Sequence, residues 1–198
     1  MSEWWSYGLS DFLMFSPETY GRLVERFNAA WWPGQVAGIA AAGALLVLPR
    51  RAGAWPQRAM LLLLALAWAW TGWAFHARSY AEIFLAAPWV AWACAVQAVL
   101  LAAATAMPMA ANGPPSRVAW LSGHVLLAAA LLFPLAAPLQ GHGWPRAEVF
   151  AFMPDPTALA TLGALLVLRH PRGIWRALLA AIPMLSLLLG TATRWLLA

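Results

Sequence analysis

The sequence predicts an all-α membrane protein, a polytopic bundle of six transmembrane helices preceded by an amphipathic helix in the membrane interface. Of its 198 residues, 63% are apolar and 10% are charged, whereas a soluble domain carries about 25% charged residues. Six apolar stretches approach the length of about 20 residues that crosses a bilayer core of roughly 30 Å. Disorder and a disulfide scaffold are excluded, because disorder needs few apolar residues and Cys94 is the only cysteine.

Residues 1–30 are predicted to form an interfacial segment, separate from a transmembrane domain that covers residues 31–198. Ser16 followed by Pro17 is typical of a helix start, because serine caps the first turn and proline fits its first position. The next residues place apolar side chains on one face and charged side chains mostly on the other, which favours a helix that lies in the interface. The apolar face contains Tyr20, Leu23, Val24 and Phe27.

Six transmembrane spans are predicted after this segment, and short stretches rich in Pro, Gly, His or Arg separate them. None of the apolar runs alternates as the strands of a membrane β-barrel do. Helices are therefore the structure that satisfies the backbone polar groups in lipid. The predicted spans cover residues 31–48, 59–76, 83–106, 118–139, 149–168 and 174–194.

The arginines predict the orientation, because cytoplasmic loops collect positive charge. With the amino terminus outside, the inner loops hold seven of the 12 basic residues and no acidic residue. Both termini are therefore predicted on the outer side. We interpret the net charge of +5 as part of this topology signal, because arginines interact favourably with an anionic lipid leaflet. We therefore expect no nucleic-acid partner. The inner basic residues are Arg50, Arg51, Arg58, Arg117, Arg169, Arg172 and Arg176.

Two prolines, Pro154 and Pro156, interrupt the fifth span. They remove two backbone donors, so we expect the helix to break there and a new helix to begin at Pro156, with Asp155 as its cap. From Pro156 to Leu168 the chain reaches only about 20 Å as a helix, which is too short to span. Residues 147–153 then enter as a broken or re-entrant segment, which is tolerated only inside protein or beside a wet cavity.

Asp155 is the main candidate for a substrate-binding or ion-binding residue, because an ionised Asp inside a span costs about 2.5–3.5 kcal/mol on insertion scales. One hypothesis gives it a binding or proton-linked role, and the other makes it a wetted helix cap. A nearby arginine such as Arg78 or Arg146 would favour its ionised form. Thr157 and Thr161 follow on the same half-helix, where they could supply ligand oxygens or bond their own carbonyls.

His124 and Gln97 complete the candidate site, since both are polar residues within predicted spans. The alternative is that each satisfies a neighbouring helix. No metal site and no cofactor is expected, because the sequence contains no HxxxH, CxxC or CxxCH spacing. No catalytic residue is predicted, since a phosphate loop and a nucleophile elbow are also missing from the sequence.

Two stretches of sequence carry a family resemblance. One runs from Glu3-Trp4-Trp5-Ser6-Tyr7 through Leu9-Ser10-Asp11-Phe12-Leu13 and Phe15-Ser16-Pro17 to Trp32-Pro33, and the other joins Glu148-Val149-Phe150, Pro154-Asp155-Pro156-Thr157 and Thr161-Leu162-Gly163. On these residues the chain resembles a family of uncharacterised bacterial multi-pass membrane proteins, a domain of unknown function. The resemblance implies an integral protein of the bacterial cytoplasmic membrane, with its outer side in the periplasm, and no established activity.

Three functions remain open at this stage. The first is a small transporter or channel-like permease with its site at the broken fifth helix. The second is a non-catalytic accessory or scaffold subunit, whose partner beyond the lipid bilayer is a larger membrane complex or a second copy of the chain. The third is a membrane sensor that binds an apolar ligand. A solvent-connected cavity that reaches Asp155 would favour transport, and a continuous exposed groove would favour the subunit.

Overall fold

The computed structural model describes residues 15–51, 53–108, 113 and 115–197, which form helices and no strand. The opening motif up to residue 14 and the loop residues 109–112 lie outside this range. The predicted all-α class is confirmed for the described residues. Eight α-helices follow one another: α1 (Pro17–Trp31), α2 (Gly34–Val47), α3 (Ala54–Trp70), α4 (Ala87–Thr105), α5 (Arg117–Leu132), α6 (Ala136–Leu139), α7 (Pro154–Val167) and α8 (Ile174–Leu197).

Three of these helices continue beyond their α-helical part, and the first is α2, which runs into a 3₁₀ turn (Leu48–Arg50). α3 runs directly into a π-helix (Thr71–Ser79) and then into a 3₁₀ turn (Tyr80–Glu82). α5 runs through a 3₁₀ turn (Phe133–Leu135) into the short α6. Each extension lengthens an apolar rod, so α3 and α5 belong to stretches of 29 and 23 residues.

Four helical stretches of the described chain are long and apolar enough to cross a membrane. α1 and α2 would add a fifth if they formed one span, but they are bent by 92° at the break between them. The predicted count of six spans is not confirmed. α2 and α7 have 14 residues each, about 21 Å of helix against a bilayer core of roughly 30 Å. The four stretches are Ala54–Glu82, Ala87–Thr105, Arg117–Leu139 and Ile174–Trp195.

α1 begins as the sequence predicts. Ser16 is its N-cap, and the Ser16 side chain accepts a hydrogen bond from the backbone N–H of Thr19. The apolar face turns into the protein, where the Phe27 ring lies 5.4 Å from that of Phe75 and 6.2 Å from that of Phe152 between centroids. The helix is thus packed onto the bundle through aromatic contacts, while its position in the membrane interface stays a prediction.

α7 lies at the centre of the fold. It packs against α5 and α8 and also contacts α2 and α3. Ten of its 14 residues are buried, because other helices surround it. The irregular turn of residues 147–153 leads into it from one end of the bundle. The predicted half-helix with a non-helical entry is therefore confirmed.

The start of α7 differs from the prediction by two residues. The helix begins at Pro154 instead of Pro156, and its N-cap is Met153, whose side chain makes no capping hydrogen bond. Asp155 lies in the first turn, so its prediction as the cap is wrong. The physical reason is that the first four N–H groups of a helix have no partner inside the helix. Two prolines in this first turn therefore remove no helical hydrogen bond.

The ion pairs of the described residues all join residues that the topology prediction places at the outer end or, for Asp155, within the fifth span. The Nη2 atom of Arg26 lies 3.3 Å from Glu82, and Nε of Arg146 lies 2.6 Å from Glu25. Two further pairs involve a single arginine of α8 and two carboxylates. This segregation is consistent with two distinct ends of the bundle, and the membrane face of each end stays a prediction.

α5 and α7 approach closely through two glycines. A Cβ atom at Gly123 would lie 2.8 Å from the carbonyl oxygen of Gly163, and a Cβ atom at Gly163 would lie 2.8 Å from that of Gly123. Such a pair of small residues lets two helix backbones come into direct contact. The position of α7 in the bundle therefore depends on the absence of side chains at this crossing.

We expect Gly163→Ala to lower the free energy of unfolding by about 1–3 kcal/mol, because the added methyl group meets backbone and Leu side chains. Gly43→Ala is the matched control, since nothing lies within 4 Å of its Cβ position. Alanine there should leave stability unchanged or raise it by about 0.5–1 kcal/mol. Unfolding of the purified proteins in mixed detergent micelles measures both changes. Equal stability of the two variants would contradict the crossing described here.

Candidate functional site

An open cavity of about 540 Å³ lies at the end of the bundle where α7 begins. Its wall is built from α1, the π-helix, the end of α5, the turn before α7, and α8. This volume falls in the range of about 300–1,000 Å³ that is usual for ligand pockets. The polar and aromatic lining includes Tyr20, His76, Tyr80, Glu148, Asp155 and Arg194.

Asp155 reaches this cavity from the first turn of α7. Its side chain is almost fully buried, at 2% exposure, and it forms an ion pair and a hydrogen bond with Arg194 of α8. Gly190, one turn before Arg194, makes the approach feasible, since a Cβ atom there would overlap the Asp155 carboxylate. The α7–α8 contact therefore places a carboxylate and a guanidinium side by side at the cavity wall.

The arginine partner differs from the two that the sequence suggests. Arg146 donates a hydrogen bond of 2.6 Å to Glu25 of α1. Arg78 lies over the ring of Trp73, with 4.7 Å between its Cζ atom and the ring centroid. Both predicted partners are thus wrong, because the packing of α8 on α7 brings in Arg194 from 39 residues along the chain.

Glu148 is the second carboxylate of the cavity. Its Oε1 atom lies 3.7 Å from Nη1 of Arg194, and its side chain is 16% exposed. Burial raises the pKa of Glu148 from its usual 4.5 to about 7, with Asp155 adding to the rise and Arg194 opposing it. This group therefore gains and loses a proton near neutral pH.

The two carboxylates share one guanidinium. With Glu148 and Asp155 both ionised, Arg194 neutralises one of the two negative charges and leaves one in excess. A partly buried charge without full compensation is costly. A proton or a positively charged ligand in the cavity would remove that cost.

His76 faces the same cavity from the π-helix. It is 3% exposed, and neither ring nitrogen has a hydrogen-bond partner among the residues that the structure describes. Its ring packs against Phe75 at 5.2 Å and against Tyr80 at 5.9 Å between centroids. Buried polar groups are nearly always paired, and π-helical turns are frequent at functional sites. The unpaired ring is therefore a candidate for contact with a ligand.

The two candidate threonines serve the backbone. Thr157 donates to the carbonyl of Met153 at 2.7 Å, and Thr161 donates to that of Thr157 at 2.8 Å. Thr157 also accepts from the N–H of Ala151 at 2.9 Å, while Thr71 donates to the Ala151 carbonyl at 2.7 Å. These bonds hold the irregular turn before α7. Thr157 and Thr161 thus bond backbone carbonyls, which is one of the two alternatives for these side chains, and a role as ligand oxygens stays a prediction.

Gln97 and His124 also lie away from the cavity. Gln97 donates a hydrogen bond of 2.9 Å to the carbonyl of Leu179 and so ties α4 to α8. The Nδ1 atom of His124 lies 2.8 Å from the carbonyl oxygen of Trp120 in its own helix. Of the five residues predicted for a substrate or ion site, only Asp155 lines the cavity.

Sequence reasoning missed four of the residues that accompany Asp155. Tyr20, His76, Glu148 and Arg194 come from four separate segments, and no spacing rule links such positions. Of these four residues, Glu148 alone has some signal in the sequence, because it is the first residue of the second stretch that carries the family resemblance. Two signals in the sequence point to the turn before α7: this resemblance and the proline pair, which predicts a non-helical entry over residues 147–153.

Comparison with known proteins identifies a family for this chain. Residues 17–198 match a family of unknown function, DUF6064. The chain belongs to this family. The matched range contains every residue that lines the cavity, and the family description assigns no activity. No curated protein and no solved structure matches the chain.

We expect Gly190→Ala to separate Asp155 from Arg194, because the methyl group would occupy the position of the carboxylate. The free energy of unfolding should fall by about 1–3 kcal/mol. The same substitution in an Asp155→Ala background should cost less, since the clash is then removed, and a double-mutant cycle measures the difference. Equal costs in the two backgrounds would contradict the contact.

The stability of the protein should depend on the protonation of Glu148. The folded protein holds a proton between pH 4.5 and about 7 that the unfolded chain has released. Glu148 therefore contributes its full stabilisation below pH 4.5, and this stabilisation is lost as the pH rises through about 7. We expect the unfolding temperature to fall by about 2–5 °C more in the wild type than in Glu148→Gln over this window. Parallel pH profiles of the two proteins, measured by differential scanning fluorimetry, would contradict the assignment.

Proposed function

We propose that this protein is a small membrane carrier whose solute-binding site is the open cavity at the start of α7. One observation carries the proposal: a cavity of about 540 Å³ reaches the buried Asp155 and its half-exposed partner Arg194. Four of the helical stretches that contribute to its wall are long and apolar enough to cross a membrane. Charged groups inside an apolar bundle are costly and mark solute or ion pathways in other membrane proteins.

The short helix α7 supports a carrier over a simple anchor. Secondary transporters often place their substrate at the end of a discontinuous helix, where irregular backbone lines a cavity. α7 has only 14 residues and begins beside the cavity with Asp155 in its first turn. The irregular turn before it supplies Glu148, the residue that exchanges a proton near neutral pH. The site thus combines a fixed ion pair with a group whose charge can change.

The other two functions have less support from the geometry. A sensor for an apolar ligand would leave the charges of Glu148, Asp155 and Arg194 without polar partners on the ligand, which is unfavourable in a partly buried site. An accessory subunit would need a docking surface, and the outward apolar side chains of the helices are equally suited to contact with lipid. The cavity therefore favours binding of a polar solute.

We expect Asp155→Asn to abolish solute uptake while the protein stays folded in the membrane, because asparagine keeps the shape of the side chain but removes its charge. Proteoliposomes test this with radiolabelled guanidine, glycine and lactate as cationic, zwitterionic and anionic probes. The wild type should accumulate at least one probe about tenfold above Asp155→Asn, in line with the loss of a buried charged contact. Circular dichroism verifies the fold.

His124→Gln is the matched control for this experiment, because His124 lies outside the cavity and bonds its own helix. Its uptake should equal that of the wild type. Equal uptake by Asp155→Asn and the wild type would contradict the proposal. A wild type that accumulates none of the three probes would contradict it as well.

A further inference from the structure

The charges around the cavity discriminate between classes of ligand. Among the residues that the structure describes, Glu148 and Asp155 form ion pairs with Arg194 alone, so this inner cluster carries one negative charge when both acids are ionised. Arg146 also lines the cavity, but Glu25 neutralises it at 2.6 Å. An anionic ligand would have to compete with two carboxylates for one guanidinium. A ligand with a single positive charge would balance the cluster.

Several polar atoms at or behind the wall lack a hydrogen-bond partner among the described residues. Oδ1 of Asp155 and both ring nitrogens of His76 have no hydrogen-bond partner within the described part of the chain. Glu148 lies 3.7 Å from Arg194, which is beyond hydrogen-bond distance. Carboxylate oxygens only accept, and a neutral imidazole offers one accepting nitrogen. Asp155 Oδ1 and the His76 nitrogens are not accessible to water, so Glu148, which is 16% exposed, is the carboxylate that offers accepting oxygens to the N–H groups of a ligand.

Aromatic rings form another part of the wall. Tyr20 and Tyr80 meet edge to face at 6.0 Å between centroids, and Tyr80 stacks on Phe75 at 5.5 Å. The faces of aromatic rings attract cations, most strongly where water is excluded. Tyr80 is only 7% exposed, whereas Tyr20 is partly exposed, so a flat organic cation would use the ring of Tyr20 together with the carboxylates.

An inorganic ion fits this cavity less well. No group of three or more His, Cys, Asp or Glu side chains in the described ranges could hold a metal ion. The volume of about 540 Å³ also greatly exceeds the space of roughly 30 Å³ that one water molecule occupies. The size and the aromatic wall point to a molecule with several non-hydrogen atoms.

From these contacts we infer that the cavity binds a monovalent organic cation of the amidinium or guanidinium class. Its N–H fork meets the carboxylate of Glu148, while Arg194 continues to hold Asp155, and its flat body lies against Tyr20. Forked N–H donors match a carboxylate with two parallel hydrogen bonds. This inference rests on the proposal that the cavity is a solute site, and it adds the chemical class of that solute.

Three isosteric probes test the ligand class on the purified protein in detergent by isothermal titration calorimetry. Benzamidine is a flat cation at about pH 8, benzamide is its neutral counterpart, and benzoate is its anionic counterpart. Above the pKa of Glu148, which is about 7, benzamidine should bind at least about tenfold more tightly than benzamide, and benzoate should not bind. Equal or tighter binding of benzamide or benzoate would overturn the inference, as would undetectable binding of benzamidine at millimolar concentrations.

Two substitutions locate the binding of benzamidine. Glu148→Gln should weaken it about tenfold. Glu82→Gln makes the same chemical change at a side chain that is 59% exposed and outside the cavity lining, so it should have no effect. Tyr20→Leu should weaken binding about fivefold, because the partly exposed ring of Tyr20 attracts the cation. Unchanged affinity in Glu148→Gln would overturn the inference.

The outcome separates this inference from the proposed function. Binding that depends on Glu148, together with no uptake of any probe into proteoliposomes, would support the ligand class and contradict the carrier. Uptake of lactate or glycine that depends on Asp155, together with no preference for benzamidine, would support the carrier and contradict the ligand class.

Discussion

Asp155 lies among buried side chains at the start of the central helix, and its ion pair with Arg194 is the interaction on which the arrangement of this end of the bundle depends. A carboxylate in such surroundings is tolerated when a cation meets it in good geometry. That requirement brings α8 against α7 and demands a glycine, Gly190, at the point of contact. The ion pair therefore determines how two helices pack as well as the charge of the cavity.

The cavity exists because α7 is short. α7 has 14 residues, and its first residue lies inside the bundle instead of at the bundle's end. An irregular turn, held by hydrogen bonds of the Thr71 and Thr157 side chains, fills part of the distance to that end. A full helix would have filled this space with side chains. The missing turns instead leave an open volume between α1, the π-helix and α8, with Glu148 at its wall. The two prolines thus determine both the start of the helix and the location of the site.

Features that depend on neighbouring residues could be predicted from the sequence, and features that depend on packing could not. The serine cap of α1 and the half-helix after the prolines are local, so both were predicted. The partner of Asp155 depends on the register of α8 against α7. This register cannot be inferred from the sequence of α8, which is rich in Leu and Ala. The unpaired ring of His76 likewise follows from a π-helix that no local sequence motif indicates. The count of six spans stays unconfirmed, because α2 and α7 are short.

The order of synthesis imposes a condition on how this protein matures. Arg194 follows Asp155 by 39 positions, so the ribosome delivers both acids before it delivers the base that neutralises one of them. Until α8 packs against α7, the two carboxylates lack this counter-charge, and an uncompensated charge in buried surroundings is costly. Docking of α8 is thus the folding step that lowers the cost of ionising these acids.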